Sequence, residues 1–274
     1  MRSILLHIHE DDCLEARFQA ALDLARQFDG HITCLQAIPY EFGVPGDFYG
    51  TAAAQMAMEL RKEARRLRDT YEARLGKEDV RWEWYDSDGS AARLIRQHAP
   101  LSDLTILGSR NPVGAADNPS RLVTDLVGEL RAPMMVVPAG MKAFSAEAPA
   151  MIAWNGSTES AHALCGAMPM LRRAKQVHIL IVQEAKDEQR SAFPSLAAAE
   201  YLSRYDIEAE IIEIPHDRDD KVSIANKLLN ASEMRGGGYL VMGGYGHSRI
   251  RERVLGGVTR DLLKDPAIPL IIAH

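Results

Sequence analysis

Short apolar runs alternate with longer amphipathic segments along the first half of the chain. The run from Ile4 to Ile8 is typical of a buried strand, and Leu14, Phe18 and Ala25 then fall on one face of a helix that we expect to end at Gly30. The alternation continues to residue 137 and predicts the order β-α-β-α-β-α-β-α-β. The further strands are predicted at 32–38, 80–85, 104–107 and 134–137, and the further helices at 56–71, 91–98 and 121–130.

The same order recurs after a linker of small residues at 139–149. Strands that alternate with helices lie parallel and are joined by right-handed crossovers. The predicted fold is therefore α/β, with two doubly wound five-stranded parallel-sheet domains in tandem. In the second half, strands are predicted at 151–154, 177–182, 209–214, 239–242 and 270–273, and helices at 159–173, 195–205, 222–234 and 258–264.

The repeat is visible in the residues as well as in the order of the elements. Leu104-Thr-Ile-Leu-Gly108 corresponds to Tyr239-Leu-Val-Met-Gly243, and residues 132–137 correspond to residues 268–273. The chain is also long enough for two domains of ordinary size. We predict one domain at 1–145 and a second at 146–274.

Composition narrows the functional class. The chain is 46% hydrophobic and 26% charged, as expected for a soluble globular protein. Its formal net charge of −6 argues against a general nucleic-acid binder, which needs a basic face. No apolar run approaches the roughly 20 residues that span a bilayer, so we expect no membrane partner. The three cysteines are scattered and form no disulfide or metal motif, which favours a cytoplasmic protein.

Two segments of the second half are candidates to hold a small anion. Ligands of doubly wound sheets bind beyond the carboxyl ends of the strands. Asn155-Gly-Ser157 follows the first predicted strand of this half, and Gly243-Gly-Tyr-Gly246 follows the fourth and continues to Gly256. Glycines let the main chain approach phosphate oxygens, and the free N–H groups at a helix start point at an anion.

Metal sites have weaker support in the sequence. His7 and His9 share a strand face, but neither they nor the acidic residues at 10–12 fix a coordination geometry, and the acids suit a helix N-terminus. Glu252 and Asp261 near the glycine loop suit helix capping and solvation better than Mg²⁺ binding. We therefore expect no metal held by the protein alone.

Catalytic motifs are also lacking. Ser157, Ser160 and His162 are close in sequence, but no GxSxG elbow or acidic partner marks a hydrolase triad. There is no P-loop, and a Rossmann fingerprint would place its glycines after the first strand. The glycine loop offers electrostatic stabilisation of phosphates without an evident general base, so any ATP hydrolysis should be slow.

The spacing of the glycine loop resembles that of the universal stress protein family. Gly243-x2-Gly246-x9-Gly256 follows a strand that ends in Val-Met, and Pro269 precedes a last aliphatic strand. Residues 152–157 also resemble the opening of that fold, so the resemblance covers the whole chain as two domains. It implies the adenine nucleotide alpha hydrolase-like fold of the family and a site for ATP, ADP or AMP, with or without Mg²⁺.

The resemblance places the nucleotide in the second half. Many universal stress proteins bind ATP with the adenine near the first and second strands and the phosphates on the glycine loop. This implies adenine and ribose near Asn155, Val182 and Met242, with His247 and Arg249 adding positive charge. The candidate nucleotide-binding residues are Asn155, Gly156, Ser157, Val182, Met242, Gly243, Gly246, His247, Arg249, Gly256, Gly257, Val258 and Thr259.

Several positions depart from the family pattern. Asn155 stands where the family usually has Asp, and Gly257 where it usually has Ser or Thr, which leaves Thr259 as the nearest hydroxyl. The first half departs further, because Gly108 is not followed by a second glycine and acidic residues at 10–12 follow its first strand. Since like charges should repel a phosphate-bearing ligand, we predict that the first half binds no ATP.

These observations predict a nucleotide-responsive stress-response protein that is not an enzyme. The alternative is a scaffold without nucleotide that acts through protein partners, in which the glycines are only turns; a hydrolase or transferase at the same site is a third hypothesis. Domains of the family often pair through their final strands, which implies that 134–137 and 270–273 meet in an intramolecular pseudo-dimer. A homodimer of whole chains is left open.

Overall fold

Strands and helices alternate throughout the part of the chain that the computed structural model describes, which is residues 1–39, 50–110, 119–184, 194–217, 219–244, 256–264 and 266–274. The strands are β1 (Ser3–Ile8), β2 (His31–Ile38), β3 (Arg81–Asp88), β4 (Leu104–Gly108), β5 (Met134–Val137), β6 (Ala150–Ala153), β7 (Val177–Glu184), β8 (Ala209–His216), β9 (Tyr239–Gly243) and β10 (Leu270–Ala273).

The helices connect these strands in the predicted order. None of those described is both long and apolar enough to cross a membrane. A short 3₁₀ helix, Ala99–Leu101, follows the third α-helix. The α-helices are α1 (Leu14–Phe28), α2 (Gly50–Leu75), α3 (Ala91–His98), α4 (Arg121–Leu126), α5 (Thr158–Leu171), α6 (Ala197–Ser203), α7 (Ile224–Met234) and α8 (Gly257–Lys264).

All these strands belong to one sheet, in the order β3-β2-β1-β4-β5-β10-β9-β6-β7-β8. The strands of each half pair with one another in parallel, as the alternating pattern predicts. β5 and β10 pair antiparallel, with Ile271 opposite Met135. The predicted meeting of the two final strands is therefore confirmed, and it joins the two predicted sheets into a single continuous one.

Each face of this sheet carries one hydrophobic cluster. Because successive strand residues point to opposite faces, Leu5 belongs to one cluster and Leu6 to the other. α1 and α5 pack on the first face through Phe18 and Leu164, while α4 and α7 cover the second. Both clusters contain residues of both halves, so the core continues across the β5–β10 pair.

Two helix ends differ from the prediction. α1 ends at Phe28, and its left-handed cap is Asp29 with φ 50° rather than the predicted Gly30; the Asp29 N–H donates to the carbonyl of Ala25. α4 ends at Leu126 although its apolar pattern continues to Leu130, because the chain tightens into turns in which Leu126 accepts further backbone hydrogen bonds.

Candidate functional site

A cleft opens at the carboxyl ends of β6 and β9, where the strand order of the second half reverses. This is the position at which doubly wound sheets bind ligands. Its volume is about 180 Å³. The cleft is lined by Ala153, Trp154, Asn155, Ser157, Leu180, Val182, Ile224, Leu228, Met242, Gly243, Gly256, Gly257, Val258 and Thr259.

Most of the candidate residues meet at this cleft. Gly156 is buried in the turn after β6 but is not among the lining residues. Gly246, His247 and Arg249 lie outside the described residues. The candidates that line the cleft are Asn155, Ser157, Val182, Met242, Gly243, Gly256, Gly257, Val258 and Thr259.

The turn after β6 is held by local side-chain hydrogen bonds. The Ser157 N–H donates to Asn155 Oδ1 over 3.1 Å, and Ser157 Oγ accepts from the N–H of Ser160 over 3.1 Å as the N-cap of α5. Asn and Ser favour these positions because their short polar side chains reach nearby backbone groups. Gly156 has φ 69°, which favours glycine. The Asn-Gly-Ser sequence therefore places Asn155 and Ser157 at the cleft.

Gly243 lines the cleft at the point where the end of β9 meets the start of α5. A Cβ on this residue would lie 2.6 Å from the nitrogen of Ser160 and 2.7 Å from the carbonyl carbon of Glu159. The missing side chain thus leaves room for the first turn of α5. Gly243 allows the end of β9 and the start of α5 to approach, and this closeness shapes the wall of the cleft.

The start of α8 presents backbone donors to the cleft. The first N–H groups of an α-helix have no partner within the helix, and the macrodipole gives this end a partial positive charge. Gly257 begins α8, and a Cβ there would meet no atom of the described residues within 4 Å. Thr259 is only 5% exposed. Asp261, one turn along, pairs with Lys264 over 3.0 Å, in agreement with its predicted role on a solvated helix.

Apolar side chains that were not predicted complete the walls. Ile224 and Leu228 lie four residues apart on α7, so one stripe of this helix faces the cleft. Trp154 is 5% exposed, and its Nε1–H donates to the carbonyl of Pro194 over 3.4 Å. The sequence predicts an apolar face on α7, but it does not indicate that this face borders the cleft. None of the lining side chains in the described part of the chain carries a formal charge.

The strand register identifies the matching positions in the first half. Leu6 lies opposite Ile106 in β1–β4, as Ile152 lies opposite Val241 in β6–β9. One residue further along, His7 of the first half therefore corresponds to Ala153, and His9 corresponds to Asn155. An imidazole ring thus replaces the Ala153 methyl group. His7 is 6% exposed and stacks on His9 with ring centroids 5.9 Å apart.

A buried cation also lies at this end of the first half. Arg17 Nη1 pairs with Asp11 Oδ1 over 2.6 Å, and the two side chains are 0% and 6% exposed. Arg17 also donates to the carbonyls of His7 and His9 over 2.8 and 2.5 Å. Burial, with the Arg17 guanidinium as a second cause, lowers the pKa of His7 well below its ordinary value.

These contacts change the argument about the acidic residues at 10–12. Asp11 is neutralised by Arg17, and Glu10 pairs with Arg66 over 2.8 Å. Two of these three carboxylates are therefore paired with arginines. The stacked imidazoles and Arg17 lie at the same strand end, and the absence of ATP binding in the first half stays a prediction. No group of three or more His, Cys, Asp or Glu among the described residues is arranged to hold a metal ion.

Comparison of the whole chain with solved structures identifies the fold. A universal stress protein from Archaeoglobus fulgidus DSM 4304 is similar with a TM-score of 0.69 and 15% identity, over 99% of this chain and 97% of that one. A functionally unknown protein from Pseudomonas aeruginosa PAO1 is similar with a TM-score of 0.60 and 14% identity, over 100% of this chain and 92% of that one. Comparisons with family models and with curated proteins gave no match. The chain has the fold of universal stress proteins along its whole length.

Proposed function

We propose that this chain is a stress-response protein of the universal stress type that binds an adenine nucleotide in its second domain. The observation that carries the proposal is the cleft at the carboxyl ends of β6 and β9, which brings together nine of the candidate residues. Residues 146–274 would form the binding domain and residues 1–145 a domain without nucleotide. The cytoplasm is the proposed location, since all three cysteines are free thiols.

The walls of the cleft suit a base and ribose. Leu180, Val182, Leu228 and Met242 supply apolar surface, and Asn155 and Ser157 supply polar groups at the rim. Ligand clefts are mostly apolar with a few placed polar groups and measure roughly 300–1,000 Å³. Because this cleft is smaller, at about 180 Å³, the phosphates of ATP would extend beyond it toward the start of α8.

The phosphates would lie against backbone amides. The first N–H groups of α8 have no partner within the helix, and a Cβ on Gly257 would meet no described atom within 4 Å. The second loop glycine, Gly246, would add donors in the same way, with His247 and Arg249 supplying charge. Gly257 offers no hydroxyl, so Thr259 is the nearest side chain able to replace the usual Ser or Thr.

The residues that line the cleft favour binding of ATP without efficient hydrolysis. Hydrolysis needs a group that positions or deprotonates the attacking water. None of the described lining residues is an acid or a histidine, and Asp261 is paired with Lys264. We therefore propose a nucleotide-responsive binding protein with at most slow ATP hydrolysis.

Isothermal titration calorimetry with ATP, ADP and AMP, each with and without Mg²⁺, tests the proposal. We expect saturable binding to one site per chain, and loss of binding in Gly246→Val and in Leu228→Trp, which would fill the cleft. His7→Gln, in the first domain, should bind like the wild type. Absence of binding at millimolar nucleotide would overturn the proposal.

A scaffold that binds no nucleotide is the second candidate, and Gly243 is the observation that favours it. Its missing side chain is explained by the contact with α5, without any ligand. The two functions differ in their response to Gly246→Val, because a scaffold should keep its partners whereas a nucleotide-responsive protein should lose its ligand. Mass spectrometry of ligand released from freshly purified protein would separate them directly.

A further inference from the structure

Gly244, which is the first residue after β9, is held from three sides. Its N–H donates to the carbonyl of Ala273 over 2.8 Å, and its carbonyl accepts from His274 Nδ1 over 3.0 Å. Both partners lie in or directly after β10. Gly246 follows only two residues further along the chain, so the glycine loop begins from an anchored point.

The third contact comes from the first half of the chain. A Cβ on Gly244 would collide with Cγ1 of Val127 and would lie 3.2 Å from Cγ2 of Ile272. Val127 is the C-cap residue of α4 and is fully buried. The backbone at Gly244 is outside the left-handed region, so its conformation does not require glycine. Glycine is required here by the lack of space for a side chain, because Val127 packs directly against this residue.

We propose that Val127 is a positioning residue for the end of β9, whose Gly243 lines the nucleotide cleft of the second domain. By packing against Gly244, Val127 of the first domain fixes the position of the neighbouring Gly243 and hence of one wall of the cleft. The inference rests on the proposed function, because it concerns the same nucleotide. Coupling between two sites is reciprocal, so bound nucleotide should in turn stabilise the contact between the domains.

A double-mutant cycle tests this contact. Gly244→Ala should weaken ATP binding about tenfold or more, because the added methyl group must displace Val127 or the backbone at Gly244, next to the cleft residue Gly243. Val127→Ala alone should change affinity by less than about threefold. The double variant should regain most of the lost affinity, since the methyl group then has room. ATP affinity in the presence of Mg²⁺ is measured by titration calorimetry, and melting temperature is recorded for each protein.

Gly166→Ala provides a matched control. A Cβ on Gly166 of α5 would lie 3.2 Å from Cγ of Pro133, so it also tightens a contact between the two halves. Because Gly166 is remote in sequence from the loop and does not line the cleft, its variant should change melting temperature without changing ATP affinity.

The outcomes separate this inference from the proposed function. Wild-type affinity in Gly244→Ala, or a double variant that binds no better than Gly244→Ala, would overturn the positioning role while leaving the nucleotide site intact. A wild-type chain that binds no adenine nucleotide would overturn the proposed function and the positioning role with it. If Gly244→Ala does not fold, recovery of both folding and binding in the double variant supports the contact, and recovery of folding alone contradicts it.

Discussion

The guanidinium of Arg17 lies buried at the carboxyl ends of β1 and β4. It pairs with Asp11 and donates to two strand-end carbonyls, and a Cβ on Gly108 would lie 2.6 Å from its Nη1. A buried charge is tolerated only when it is paired and hydrogen-bonded, and Arg17 meets both conditions. The partners of this buried charge all come from the first half, namely Asp11 and the carbonyls of His7 and His9.

Replacement of Arg17 should destabilise the protein strongly. Arg17→Met leaves Asp11 buried and unpaired, for which we expect a loss of about 3–5 kcal/mol in the free energy of unfolding by urea. Arg17→Met combined with Asp11→Asn should recover part of this loss, because the uncompensated charge is removed.

An exposed pair supplies the control for this experiment. Arg81 pairs with Asp29 over 2.8 Å, but the two side chains are 59% and 70% exposed. Arg81→Met should cost about 1 kcal/mol or less. Similar losses for Arg17→Met and Arg81→Met would show that the buried pair contributes no more than a surface one.

Individual residues also show what the sequence could not predict. The glycine spacing identified Gly243 and Gly257 as special, but it assigned both to phosphate contact. A Cβ on Gly243 would meet the start of α5, whereas a Cβ on Gly257 would meet no described atom within 4 Å, so packing explains only the first of these glycines. Such neighbours are set by tertiary packing, which spacing along the chain does not report. The same limit explains why Asp11 was expected to be a free carboxylate, since its partner is an arginine on the inward side of α1.

At the scale of elements, hydrophobic periodicity was sufficient to locate the strands and helices. β5, β10 and α3 have the predicted bounds, and the other boundaries differ mostly by a few residues. The errors lie at helix ends, as in α1 and α4, where capping and turns decide the last residues. The contribution of α7 to the cleft was missed because an amphipathic pattern predicts a buried face without naming what it borders.

The start of α5 offers a test at this scale. Ser157 caps α5 and lines the cleft, while Ser90 caps α3 in the first half through the N–H of Arg93. Ser157→Ala and Ser90→Ala should each lose about 0.5–2 kcal/mol of stability. Only Ser157→Ala should also weaken ATP binding, by roughly three- to tenfold, because only its hydroxyl is at the site.

Thermal melting and titration calorimetry of the two alanine variants decide between a capping role and an additional ligand contact. Equal ATP affinities in Ser90→Ala and Ser157→Ala would mean that Ser157 acts on the helix alone.

At the scale of the whole molecule, the antiparallel β5–β10 pair makes one sheet of two repeats. Met135 and Ile271, opposite each other in this pair, are fully buried. The repeat predicted two sheets, and the family resemblance alone implied that their last strands meet. The sequence around each of these strands does not indicate its partner about 135 residues away, because each strand is only a short apolar run. The buried joint implies that the halves do not unfold independently.

The three tryptophans allow that implication to be tested. Trp82 and Trp84 lie on β3 of the first half, and Trp154 follows β6 of the second. Trp154→Phe therefore leaves reporters in the first half only, and Trp82→Phe combined with Trp84→Phe leaves a reporter in the second. Because Trp154 is buried and hydrogen-bonded, the comparison is made within each variant: we expect its urea midpoint by tryptophan fluorescence to coincide with its midpoint by far-UV circular dichroism, which reports both halves.

Addition of ATP and a substitution in the β5–β10 interface make this unfolding test decisive. ATP at about 100 times the dissociation constant measured for each variant adds roughly 2.7 kcal/mol to the stability of the unit that it binds. If the halves unfold as one, ATP raises the midpoint reported by Trp82 and Trp84 as much as that reported by Trp154. Met135→Asp, which places a charge in the buried joint, should separate the two transitions and confine the ATP effect to Trp154. If, without Met135→Asp, ATP raises only the urea midpoint reported by Trp154, the continuous sheet does not make the two halves unfold together.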